Sequence, residues 1–164
     1  MSIALLTLAL VGTVALGATM VPGYLVPQAG AMRQHFVWGL LATTLLVMAH
    51  SFIMFFLIAT GVELKDMEKE KGWGDSFRRR TIALKSRVFP VMTGALLMVI
   101  ANFILGAAAH TRAVPPLVHS VMAWSTLAVC LLALYREYRV LGDNNRLISE
   151  AASKREDTPR PREA

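Results

Sequence analysis

Four histidines are the side chains in this chain that could do chemistry: His35, His50, His110 and His119. Imidazole ligates haem iron, binds zinc or copper, hydrogen-bonds a quinone carbonyl and relays protons. Their settings differ. His50 lies inside the run 36–61, which has no other ionisable side chain. That run is long enough to cross a bilayer, which takes ~20 apolar residues. A titratable group at such a depth is costly and marks a site by default. The other three stand at the ends of apolar runs: His35 just before the second, His110 at the end of the third, and His119 shortly after Pro115 and Pro116 at the start of the fourth.

Counting at ~1.5 Å per helical residue sorts these groups into two layers, with His50 ~22 Å deeper than His35. His35, His110 and His119 form an outer layer, with Arg33 and Arg112 nearby. His50 and Cys130 form a middle layer. A membrane haem b needs axial ligands of similar depth on different helices. His35 with His119 is the better pair, with His110 a third candidate ligand. Three imidazoles also suit zinc or copper, but no two stand at i,i+3 or i,i+4, so no local chelate is offered. The ordinary alternative is that all three hydrogen-bond headgroups or water at the wet interface.

His50 has no histidine at its own level, and no Asp or Glu falls within the four apolar runs. It is therefore a candidate for contact with a quinone, or a neutral imidazole bonding a hydroxyl or carbonyl of a neighbouring helix for ~1 kcal/mol. The missing acid also argues against a proton-coupled transporter. Cys130 is the single cysteine, which excludes intramolecular disulfides, four-cysteine zinc sites and paired-thiol redox relays. No phosphate-cradling glycine loop, G-x-S-x-G elbow or H-E-x-x-H helix occurs. The chain does not read as a catalytic enzyme on its own.

The elements that must carry these residues follow from composition. The chain is 55% hydrophobic and holds 17 Lys and Arg against 11 Asp and Glu. Apart from Arg33 and Arg112 these charges lie in two blocks, 63–87 and 136–163. Apolar runs at about 3–20, 36–61, 88–109 and 117–134 surround them, each near spanning length. The expected fold is an all-α membrane protein, a four-transmembrane-helix bundle with helices extended into a charged hairpin. The first run also has features of a secretory signal, but it lacks a basic start and is long for one, so a retained helix is expected. The net charge of +6 belongs to residues flanking the spans and indicates lipid headgroups and not nucleic acid.

Orientation follows from the same residues. Eight basic residues occupy 63–87, seven follow from Arg136, and the two remaining loops hold one each. The positive-inside rule places both termini and the hairpin in the cytoplasm. Arg78, Arg79 and Arg80 read first as orienting residues and second as a contact for anionic lipid or an acidic partner. In the hairpin, pairs Asp66–Lys69 and Glu68–Lys71 should support a helix. Gly72-Trp73-Gly74 should break it, with Trp73 at headgroup level and Asp75 the N-cap of the next helix. A membrane domain over 1–141 is then followed by a charged tail, 142–164, interrupted at Gly142-Asp143 and partly disordered at its end.

Helical spacing supplies the packing faces. His119, Ala123, Thr126, Cys130, Ala133 and Glu137 form one stripe, and Gly39, Thr43, Leu46, His50 and Ile53 another. Ala9, Thr13 and Gly17 mark the first helix, and Ala95, Asn102, Gly106 and Ala109 the third. Small and polar stripes face other helices in membranes. The functional expectation is an accessory or structural subunit of a larger membrane complex, in particular an electron-transfer one, in a bacterial inner membrane and in contact with other membrane subunits. The second reading is a redox subunit holding haem b or quinone through the outer histidines, and the third a small transporter or channel.

Overall fold

A computed structural model of the chain describes residues 1–25 and 30–156. It contains four helices, α1 (Ser2–Tyr24), α2 (Ala31–Lys71), α3 (Ser76–His110) and α4 (Pro116–Glu156). Each is long and apolar enough to cross a membrane. The four-helix expectation holds, with longer elements than the apolar runs alone.

The helices pack in a ring, α1 on α2, α2 on α3, α3 on α4 and α4 back on α1, while α2 and α4 also meet across the diagonal. Up-and-down order makes ring neighbours antiparallel and leaves the diagonal α2 and α4 parallel. One end of the bundle carries the α1–α2 and α3–α4 connections and the outer histidines. The other carries the charged hairpin.

The stripes are the buried faces. Ala9 and Thr13 on α1, Leu46, His50 and Ile53 on α2, Ala95 and Asn102 on α3, and Thr126, Cys130, Ala133 and Glu137 on α4 are all buried. Close approach depends on Gly12, where an added Cβ would lie 3.0 Å from Leu46 Cγ. Lipid-facing surfaces carry the bulky residues, such as Phe55, Leu97, Ile104 and Leu131, all exposed.

Helix lengths differ enough to build a second structure at the charged end. At ~1.5 Å per residue α1 covers ~35 Å, and α2 and α4 cover ~60 Å each. Ser2 Oγ hydrogen-bonds Asn145 Oδ1 at 2.8 Å, which fixes the level where α1 begins. Beyond it α2, α3 and α4 continue as a three-helix extension around Leu64, Phe77, Leu147 and Ala151, all buried.

Three local expectations are corrected here. First, α4 runs through Gly142 and Asp143 without a break. Leu141, Asn144, Leu147 and Ala151 repeat at three- and four-residue spacing and are buried, and that packing outweighs the ~1 kcal/mol helix cost of one glycine. Second, Asp75 occupies the N-cap position of α3 without a capping bond; its carboxylate pairs with Arg79 at 3.0 Å. The cap comes from Glu68, which accepts the Phe77 and Arg78 amides at 2.6 and 2.9 Å. Third, with Glu68 so engaged, Lys71 pairs with Glu70 at 3.3 Å. Gly72 ends α2 at φ 65, a conformation glycine adopts at no steric cost. Trp73 packs against Phe77 with ring centroids 6.0 Å apart, and Lys154 Nζ lies 4.8 Å from the Trp73 ring. The disorder expected of 158–164 falls outside the described residues.

Candidate functional site

The histidine end encloses a cavity of about 850 Å³, and His35, His110 and His119 all line it. Its walls come from all four helices: Leu16 and Met20 from α1, Phe36 from α2, Phe103 from α3 and Trp124 from α4. Trp124 Nε1 donates to Tyr24 Oη at 2.8 Å, joining α1 to α4. Phe36 and Phe103, with centroids 6.3 Å apart, join α2 to α3. Asn102 lines the wall, and among the described residues Arg33 is the one Lys or Arg lining it.

Within the cavity the structure brings together His35 and His119, from the diagonal helices, with ring centroids 6.0 Å apart and planes at 75°. Both rings are seated on glycine. A Cβ on Gly23 would lie 2.9 Å from His35 Cε1, and one on Gly106 would lie 3.1 Å from His119 Cε1. His35 Nδ1 lies 2.9 Å from the Thr19 carbonyl. That partner can only accept, so Nδ1 carries the proton and Nε2 is left as the lone-pair nitrogen. This is how a ligating imidazole is commonly oriented. His119 Nδ1 and Asn102 Oδ1 are buried without hydrogen-bond partners.

His110 does not join this pair. It is the exposed last residue of α3, at the cavity rim. Among the described residues no group of three His, Cys, Asp or Glu side chains could hold a metal ion. The three-imidazole zinc or copper site therefore does not form: each histidine ends a different helix and only two turn inward.

His50 lies in a different place chemically from the one its sequence context implies. Its Nδ1 stands 2.5 Å from Glu137 Oε1, and both side chains are fully buried. The expectation that no carboxylate lies at its level is overturned. Glu137 falls just beyond the apolar run 117–134, but α4 continues and its side chains lean toward the helix N-terminus. The carboxylate therefore reaches back toward the cavity and meets His50 across the diagonal. Each partner retains one unpaired atom, His50 Nε2 and Glu137 Oε2. Cys130, placed in the same layer, sits buried among Leu46, Ala95, Val99 and Ala133.

A second polar bridge follows toward the charged end. Thr60 Oγ1 lies 3.1 Å from Asn144 Oδ1, and Asn144 Nδ2 has no partner. In the opposite direction Ala42, Leu46, Val99 and Cys130, all buried, form an apolar septum between the His50–Glu137 pair and the cavity.

Of the three arginines, Arg80 pairs with Glu150 at 2.7 Å and Arg79 with Asp75 at 3.0 Å. Arg78 gives its amide to Glu68 while its side chain is exposed. Two of the three are thus engaged within the chain.

Comparisons with protein-family models, with characterised proteins and with solved structures each gave no match.

Proposed function

We propose that this is a small membrane subunit that binds haem b between His35 and His119 and passes electrons within a larger membrane complex. The observation that carries the reading is the His35–His119 pair, 6.0 Å apart on two diagonal helices inside one cavity. An imidazole places its ligating nitrogen ~1 Å from the ring centroid and a metal–nitrogen bond adds ~2 Å, so two rings sharing one metal stand about 6 Å apart. The donor set also fits: two imidazoles, one of them already oriented through Nδ1, and no thiolate within reach. When bound, such a group would supply one-electron chemistry. Arg33 would meet the carboxylates that haem b carries, and the aromatic and aliphatic walls would pack against its macrocycle.

The charge pattern adds the setting. Fifteen of the seventeen Lys and Arg lie in 63–87 and 136–162, so that end of the bundle faces the cytoplasm of a bacterial inner membrane and the cavity faces the other side. The extension, with dense charge of both signs, is the surface for a partner subunit.

An absorbance spectrum of the purified protein, oxidised and then reduced with dithionite, tests the reading. A Soret band with a reducible α-band is expected. Replacing His35 or His119 with Ala should abolish it, and replacing His110 should not. Colourless protein from haem-supplemented cells would overturn the proposal.

A further inference from the structure

We infer that His50 and Glu137 form a proton-binding site that takes up one proton from water when one electron enters the cavity. The inference rests on the redox reading of the cavity.

Both side chains are fully buried, and His50 Nε2 and Glu137 Oε2 have no partner. The bond between them uses one proton, held between Nδ1 and Oε1. A second proton can bind at Oε2, making the acid, or at Nε2, making the imidazolium. A membrane quinol or an added reductant is oxidised by one electron, which goes to the cavity, and a hydronium O–H bond breaks, leaving water, as the O–H or N–H bond at the pair forms. Charge added to a low-dielectric bundle interior is costly, and an accompanying proton offsets it.

Other groups that could take that role are few. On α1 no ionisable side chain occurs between Ser2 and Gly23, and on α3 none between Val88 and Ala109. On α4 the nearest toward the cavity is the Cys130 thiol, while Tyr135, Arg136, Tyr138 and Arg139 flank Glu137 in sequence and are all exposed. On α2 the nearest is Glu63. Lys85 comes from α3 beside Gly61, eleven residues along α2 from His50.

Apolar packing flanks the pair on both sides: Ile53, Leu57 and Leu141 lie between it and the Thr60–Asn144 bridge, and Leu46, Val99 and Cys130 between it and the cavity.

The test is redox potentiometry of the haem-loaded protein over a series of pH values. The wild-type midpoint potential should fall as pH rises. Glu137→Gln, which keeps the shape and removes the titration, should flatten that dependence, and His50→Gln should weaken it, with the Soret band retained in both. A wild-type slope persisting in Glu137→Gln would overturn the inference. Infrared difference spectra between acid and alkaline samples read the pair without the cofactor. A carboxylic-acid band lost in Glu137→Gln or an imidazolium ring band lost in His50→Gln is expected, and the absence of both from the wild type would overturn the inference. Colourless protein that still shows either band would instead count against the haem reading alone.

Discussion

His50 Nδ1 and Glu137 Oε1 meet at 2.5 Å across the bundle diagonal, both fully buried. Breaking such a contact from one side leaves a polar group stranded. Glu137→Ala should cost ~3 kcal/mol or more, the usual penalty for removing one member of a buried pair. The double variant His50→Leu with Glu137→Met should recover much of it, because apolar groups of similar size need no partner. Thermal unfolding in detergent, arranged as a double-mutant cycle, measures both. A Glu137→Ala protein as stable as its parent would show that the pair holds nothing together.

The His35 and His119 rings are seated against glycines. Gly23→Ala would bring a methyl to 2.9 Å from His35 Cε1, and Gly106→Val would crowd His119 in the same way. Both should lower the ratio of Soret to protein absorbance severalfold while the helical circular dichroism is unchanged. Gly94→Ala is the control, since nothing lies within 4 Å of its added Cβ. Equal pigment in all three would separate the cavity from the histidines.

Glu68 does the capping that position 75 suggests. Glu68→Ala strands the Phe77 and Arg78 amides and should cost ~1–2 kcal/mol. Asp75→Ala removes only an exposed pair with Arg79 and should cost under ~0.5 kcal/mol. Limited proteolysis of the hairpin ranks the two, and the reverse order would sink the assignment.

Topology can be read with a membrane-impermeant maleimide, because the native Cys130 is buried and gives little background. A cysteine at Ala113 should label in intact spheroplasts, and one at Asp75 only after permeabilisation. The opposite pattern would reverse the orientation.

Much of this was legible in the residues, and the failures have physical causes. The stripes on α2 and α4 needed only helical spacing, and both are buried faces. The outer pair His35–His119 needed only equal depth. Glu137 was on the stripe but was set aside as lying beyond the apolar run, since an apolar run measures lipid contact and not the length of a helix. A usable signal existed. The offset that pairs His35 with His119 places position 134 opposite His50, within one helical turn of Glu137. The same offset of 84 links Thr60 to Asn144. Glu68 as a cap was not legible, because it acts through the reversal at Gly72, nine residues ahead of the amide it accepts. His110 stands apart from that pair, at the rim, because depth says nothing about which way a helix end turns.

The septum of Ala42, Leu46, Val99 and Cys130 has an electrical meaning. In a membrane it holds the cavity and the buried pair at different fractions of the transmembrane voltage. Carrying an elementary charge through the full drop is worth about 2.3 kcal/mol per 100 mV. A charge settling above the septum and one settling below it therefore do unequal work.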